Sequence, residues 1–278
     1  MKKAFSLFEL SIVILIIALI LVGTVQTTKL IKKSHLASAQ ALTQNSIVNN
    51  LDGLVAWYET SLDSSFDQDQ AVDGALVRIW YDNNPKALTK NNALQNTDFY
   101  KPTYTINVFN GGIPAMRFNN SVMDFDGTSL AYSAYTIFVV EQRRSSQSEN
   151  YFLGGLTLDV NQDLVLGYRD DTTITQSHYG NDINIAIDPY DTPIPRLHTF
   201  MFDTTHGKTY RLNGVVVGSD SSQTEPLTSY YSAAVGRYNG SVFVGDIGEV
   251  IIFRTKLSND NMREVEIYLS KKYGISLS

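Results

Sequence analysis

The chain has 278 residues, 43% hydrophobic and 18% charged, with a formal net charge of −6 and no cysteine. That length suits one large β domain or two small ones, and the missing cysteines exclude disulfides and thiolate metal sites. The charge is uneven: from residue 51 onward 17 bases face 27 acids, a field that repels phosphate backbones and excludes nucleic acid as a partner.

Residues 5–25 are nearly all apolar. As a helix this stretch would be about 31 Å long, close to a hydrocarbon core of about 30 Å, and in a bilayer a helix satisfies every backbone group. No Gly or Pro occurs between Gly23 and Gly53. The pattern predicts one helix from about Ser6 to about Asn49, greasy first and amphipathic later, with Ala37, Ser38, Ala39 and Ala41 as a surface for close helix contact. No small-x-small cleavage site follows the apolar run, which weighs against a secretory signal peptide. A plain signal anchor is a further reading. Orientation stays open, because Lys2 and Lys3 on one side face Lys29, Lys32 and Lys33 on the other. Past Leu51 the period changes from helical to alternating. "YTIFVVEQ", "LHTFMFD" and "VIIFR" are β-branched or aromatic runs of strand length. "TYRLNGVVVG" predicts a hairpin on Asn213-Gly214, and "LTLDVNQDLVLGY" a second around Asn161 and Gln162. The end turns helical: Ser258 as N-cap, Asp260 in the first turn, an apolar stripe of Met262, Val265 and Leu269, then Lys271, Lys272 and a Gly274 stop. The expected fold class is α+β: a long N-terminal transmembrane helix, an all-β jelly-roll sandwich and a short C-terminal helix.

Two family resemblances sharpen this. "KKAFSLFEL" followed by "SIVILIIALILVG" resembles the start of a type IV prepilin or pseudopilin. The resemblance implies a leader of residues 1–4, cleavage by a prepilin peptidase between Ala4 and Phe5, and N-methylation of Phe5. It also makes Glu9 the family's assembly glutamate, its charge met by the freed amino group of a neighbouring Phe5. An intramembrane carboxylate needs such a partner, although Glu9 could instead meet headgroups at the membrane edge. Ala4 departs from the usual glycine, and the kinking proline and C-terminal cysteine pair are absent. The second resemblance covers most of residues 51–278. "GLVAWYETS", "RIWYDNNPKAL", "YTIFVVEQRR" and "GDIGEVIIFRTKLSNDNMREVEIYLSKKYGI" are similar to laminin-G-like and concanavalin A-like jelly rolls. Those domains mix sugar binders, protein binders and spacers.

Chemistry is scarce in the pattern. Glycoside hydrolysis needs two carboxylates across a cleft. "GDIGE" offers Asp246 and Glu249, but their odd spacing on a strand predicts opposite faces. "HGKT" at His206–Thr209 lacks the upstream glycine of a phosphate loop and reads as a turn. "DVNQD" alternates Asp159, Asn161 and Asp163 like the start of a calcium loop, without the remainder of an EF-hand. The resemblance leaves a Ca²⁺ at a loop rim as an option; otherwise no cofactor is expected. Asp82 with Asn83, Asn84 and Pro85 reads as turn chemistry. The acidic loops at residues 63–73 and 170–191 are the places to seek a ligand, with Tyr179, Asp182, Asp188 and Tyr190 as candidates for stacking on a sugar or holding a cation.

The sequence reading is thus a non-enzymatic minor pilin or pseudopilin with three parts: leader 1–4, stalk helix 5–50 and jelly roll 51–278. It would sit single-pass in a bacterial inner membrane, then in a pilus or type II secretion pseudopilus among sibling subunits. Its head would bind a surface glycan or protein. The alternatives are a purely structural pseudopilin and a membrane-tethered glycoside hydrolase.

Overall fold

The computed structural model describes the backbone of residues 7–278 and the side chains of residues 10–17 and 26–278. In chain order, helix α1 (Leu7–Gln44) precedes β1 (Leu54–Glu59), β2 (Ile79–Trp80), β3 (Ala93–Leu94), β4 (Thr103–Phe109), β5 (Ile113–Phe118) and β6 (Met123–Asp124). The middle of the chain supplies β7 (Tyr135–Arg143), β8 (Asn150–Gly154), β9 (Val165–Asp170), β10 (Thr173–Ser177), β11 (Asp182–Ala186) and β12 (Arg196–Asp203). Then follow β13 (Gly207–Leu212), β14 (Val215–Asp220), β15 (Ala234–Val235), β16 (Arg237–Tyr238), β17 (Ser241–Val242), β18 (Gly245–Phe253) and α2 (Asn259–Tyr273).

Two eight-stranded sheets stack face to face. The first runs β14-β13-β12-β7-β18-β5-β4, with β1 also paired to β18; the second runs β11-β10-β9-β8-β15-β6-β3-β2. Between them lies one apolar core, built from alternate residues such as Tyr135, Ile137 and Val139 of β7 and Phe152, Leu166 and Tyr168 opposite. The other face of the first sheet is covered as well. Phe138, Val140, Ile251 and Phe253 meet Met262, Val265 and Leu269 of α2 and Ala39 of α1 in a second core. Strands β7 and β18 are therefore buried on both faces, which is why they read as near-continuous apolar runs.

Several local features follow from residue chemistry. Asn213 and Gly214 both take positive φ (48° and 83°) in the tight turn between β13 and β14. Ser258 caps α2 by accepting from Asn261 N at 3.2 Å, and Gly274 ends it at φ 69°. The expected tight hairpin around Asn161 is replaced by a longer excursion, residues 155–164, between the paired strands β8 and β9.

A bulge between Ile247 and Glu249 shifts the alternation of β18. Ile247 and Val250 both point into the inter-sheet core, whereas Glu249 turns toward the helices. Asp246, held by Arg117 at 2.6 Å, lies on that same helix-side face, so the expectation that these two carboxylates point to opposite faces is corrected by the bulge. Glu249 joins a sealed ion network. Lys272 Nζ donates to Glu59 Oε2 (2.8 Å), Glu249 Oε2 (2.8 Å) and Thr43 Oγ1 (2.7 Å). All four side chains are buried. Burial alone would pull the Lys272 ammonium down, but the Glu249 and Glu59 carboxylates outweigh it and hold the group above its ordinary value.

The expected α+β chain led by a transmembrane helix is corrected to a mostly β sandwich with two helices. Among the described residues, no helix is long and apolar enough to cross a membrane. Helix α1 carries Lys29, Lys32 and Lys33, and then packs on α2. The single-pass inner-membrane placement falls on the same ground. Ala4 and Phe5 lie outside the described residues, and so does the side chain of Glu9.

Candidate functional site

Among the described residues, no α-helix covers the outer face of the second sheet; α1 and α2 pack on the first. Strand alternation in the second sheet sends Trp80, Ala93 and Met123 into the core and leaves Ile79, Leu94 and Asp124 outside. The short β16–β17 hairpin lies against β8 and forms a wall beside this face. Three adjoining depressions run along it, the third reaching past its edge to β1 of the first sheet. The central one, about 720 Å³, is lined by Asn91, Asn92, Gln95, Asn96, Asp124, Asp126 and the exposed ring of Tyr231. A second, about 440 Å³, shares Gln95 and Asp124 and adds Tyr100, Asn120, Arg237 and Asn239. The third, about 420 Å³, shares Lys90, Asn91 and Asp126 and reaches Lys86 and Arg254. Each volume falls in the range of small-molecule sites.

Local turn chemistry holds this groove open. Asn91 and Asp126 are tied across it: Asn91 Nδ2 donates to the Asp126 carbonyl (2.8 Å), and Asp126 N donates to Asn91 Oδ1 (2.9 Å). Asp126 Oδ1 accepts from Thr128 N at 2.9 Å and from its hydroxyl at 2.6 Å. Arg237 Nη2 meets Asp124 Oδ1 at 2.8 Å. Lys90 Nζ donates to the Asn84 carbonyl, and Lys86 Nζ pairs with Asp52 at 2.7 Å. Tyr231 is 78% exposed, a large aromatic face with nothing packed over it.

Behind the groove wall sits Asp163. It is fully buried, accepts from Thr157 N at 2.9 Å through Oδ2, and leaves Oδ1 without a hydrogen-bond partner among the described residues. Burial pushes its carboxyl up to about 7, against smaller downward pulls from the Thr157 and Leu164 amides and the charge of Arg237. The alternation Asp159, Asn161, Asp163 therefore does not converge on a cation: Asp163 turns inward while Asn161 bonds Asn181.

The four head-domain candidates from the sequence fall into two separate groups. Tyr179 and Asp182 come together: Asp182 accepts from the Ser177 hydroxyl and pairs with Arg169 at 3.3 Å, and the Tyr179 ring lies 6.4 Å from Tyr238. Asp188 and Tyr190 lie by Arg143, whose guanidinium sits 5.5 Å from the Tyr190 ring and donates to the Asp188 carbonyl. Neither pair lines the groove. Sequence reasoning passed over the groove residues, although the run "KNNALQNTD" from Lys90 to Asp98 packs three asparagines and a glutamine around only two apolar residues. That density of amides was the available signal.

No family model matches the chain, and no curated protein matches it. Solved structures do. Domain 4 of a GH43 extracellular arabinanase from Geobacillus stearothermophilus, in complex with arabinotriose, aligns with TM-score 0.50 at 16% identity, covering 79% of this chain and 98% of that one. A GH54 α-L-arabinofuranosidase soaked with a cyclic sulfate inhibitor aligns with TM-score 0.58 at 14% identity, covering 79% of this chain and 63% of that one. A Trypanosoma rangeli sialidase captured as a covalent intermediate aligns with TM-score 0.51 at 13% identity, covering 92% of this chain but 40% of that one. At these identities the likeness establishes the β-sandwich fold alone. It nevertheless corrects two expectations. These neighbours are glycosidase structures, not pilins or pseudopilins, so the minor-pilin reading has no footing in them. Because glycoside hydrolases carry this sandwich, the expectation that the chain is not an enzyme loses its basis too.

Proposed function

We propose that this chain binds carbohydrate in the groove across the outer face of its second sheet. The observation that carries the reading is the lining: amide side chains at Asn91, Asn92, Gln95, Asn96, Asn120 and Asn239 beside the exposed rings of Tyr231 and Tyr100. Sugar hydroxyls are both donors and acceptors, and amides offer both in fixed geometry. The carbon–hydrogen faces of a sugar ring match an exposed tyrosine, which has an apolar body and a polar tip. The arabinotriose held by the similar arabinanase domain supports this choice of ligand class. Titration calorimetry against an oligosaccharide panel tests it. At least one oligosaccharide should bind, and Tyr231→Ala or Asn96→Ala should weaken it about tenfold or more, roughly 1.4 kcal/mol. Both residues are exposed, so the variants should fold. No binding by the folded chain, or unchanged binding in both variants, would overturn the reading.

Hydrolysis in the same groove is the second reading, because Asp124 and Asp126 both line it and a glycosidase needs two carboxylates. Its test is release of new reducing ends from a bound oligosaccharide. That release should vanish in Asp126→Asn while binding persists.

A further inference from the structure

The charged groups of the central and second depressions are each engaged by the protein itself, one pair by opposite charge and the others by neutral groups. Arg237 is paired with Asp124, Asp126 is held by Thr128, and Lys90 is tied to a backbone carbonyl. The two depressions carry two cations and two carboxylates, so their lining has no excess of either sign. An acidic sugar entering there would find Arg237 already paired with Asp124 and, among the described residues, only Lys90 without a carboxylate partner, and it would face Asp124 and Asp126. The surrounding domain, with acids in excess from residue 51 on, repels it at longer range. The uncharged groups are in the opposite condition. The side chains of Asn96, Asn120 and Asn239 and the hydroxyls of Tyr100 and Tyr231 make no hydrogen bond among the described residues, yet they line the groove and are exposed. The unmet capacity is therefore neutral and polar. It is also spread out. Tyr231 lines the central depression, Tyr100 lines the second, and Gln95 and Asp124 bridge the two.

Resting on the carbohydrate reading above, we propose that the groove selects neutral oligosaccharides of two or more units over chains carrying a carboxylate or sulfate. Each tyrosine supports one ring, and the amides between them read hydroxyls rather than charge. Arg254 and Lys86, exposed cations of the third depression, lie outside this stretch.

Calorimetry with matched pairs tests the proposal: a neutral oligosaccharide and the same chain bearing a uronic acid or a sulfate, each at low and high salt. The neutral member should bind about tenfold tighter or better, and its affinity should change little with salt, because no ion pair forms. A disaccharide or trisaccharide should exceed its monosaccharide by a similar factor, and Tyr100→Ala should erase that advantage without abolishing monosaccharide binding. If the acidic member binds tighter and Tyr231→Ala removes that binding, the carbohydrate reading stands and the selectivity is overturned. Equal binding of monosaccharide and trisaccharide overturns the two-ring arrangement. If no member of either class binds, the carbohydrate reading itself fails and this inference fails with it.

Discussion

Asp163 is a buried carboxyl with one oxygen unanswered, and its behaviour with pH is the sharpest consequence at the scale of a single residue. Unfolded, it titrates near the ordinary 3.8; folded, near 7. Between those values the folded chain holds one more proton than the unfolded chain, so this group makes stability fall as pH rises through that window. Above about pH 7 the buried charge costs the fold up to roughly 4 kcal/mol. The facing groups are Arg237, which favours the charge, and Tyr238 and Tyr230, whose hydroxyls are pushed up by burial first and by the Asp163 charge second. Asp163→Asn keeps an oxygen for Thr157 N and cannot ionise. Thermal melts should show the variant more stable than the parent at pH 8 and nearly equal at about pH 3.5, below both titration values. A constant offset at both pH values would show that the carboxyl does not titrate in this window.

At the scale of elements, what was legible depended on how local the signal was. Asn213-Gly214 and the Ser258–Gly274 frame of α2 are short-range chemistry, and both stand where the sequence put them. The bulge in β18 is not short-range. It exists because Glu249 must reach Lys272, and Gly248 allows it because a Cβ there would sit 2.6 Å from the Tyr273 ring. None of those partners is near in sequence, so plain alternation put Glu249 on the wrong face. The groove was missed for a related reason: asparagines read as turn formers until the sheet lines them up. The Glu249–Lys272–Glu59 network also yields a prediction. Lys272→Met leaves two carboxylates buried without a counter-charge and should cost roughly 3–5 kcal/mol at neutral pH. Burial raises Glu59, but the charge and hydrogen bond of Lys272 and the hydroxyls of Ser61 and Ser65 outweigh it and hold its carboxyl below 4.5. The stability this gives is present at neutral pH and is lost as pH falls through the folded value. The gap in melting temperature between parent and variant should therefore narrow in acid. Adding Glu249→Gln to the variant should recover part of the loss; no recovery would mean the loss is one of packing alone.

On the scale of the whole molecule, the decisive feature is that the first sheet is covered on both sides, so α1 is not merely attached to the sandwich. From sequence, the helix presents few large apolar residues after Leu36, and a head starting at Leu51 would be expected to fold without it. The structure assigns the end of α1 and the turn after it to the second core: Ala39 and Val48 are buried there, and Gln40 Nε2 donates to the Ser61 carbonyl at 2.9 Å. Thr43 is the stronger link. Its hydroxyl lies 2.7 Å from Lys272 Nζ and 3.1 Å from the Tyr268 hydroxyl, inside the buried ion network. Removing it takes one hydrogen bond from a buried ammonium, worth about 1.5–3 kcal/mol, and deleting the buried Val48 side chain adds about 1.5 kcal/mol or more. Two truncated chains separate the views, one beginning at Ser34 and one at Leu51. The longer should melt well above the shorter in scanning calorimetry, and Thr43→Val in the longer chain should reproduce part of the difference. Oligosaccharide affinity should be the same in both wherever both are folded, because the groove lies on the second sheet, away from the helices. Equal melting temperatures would show that the sandwich holds its ion network without α1.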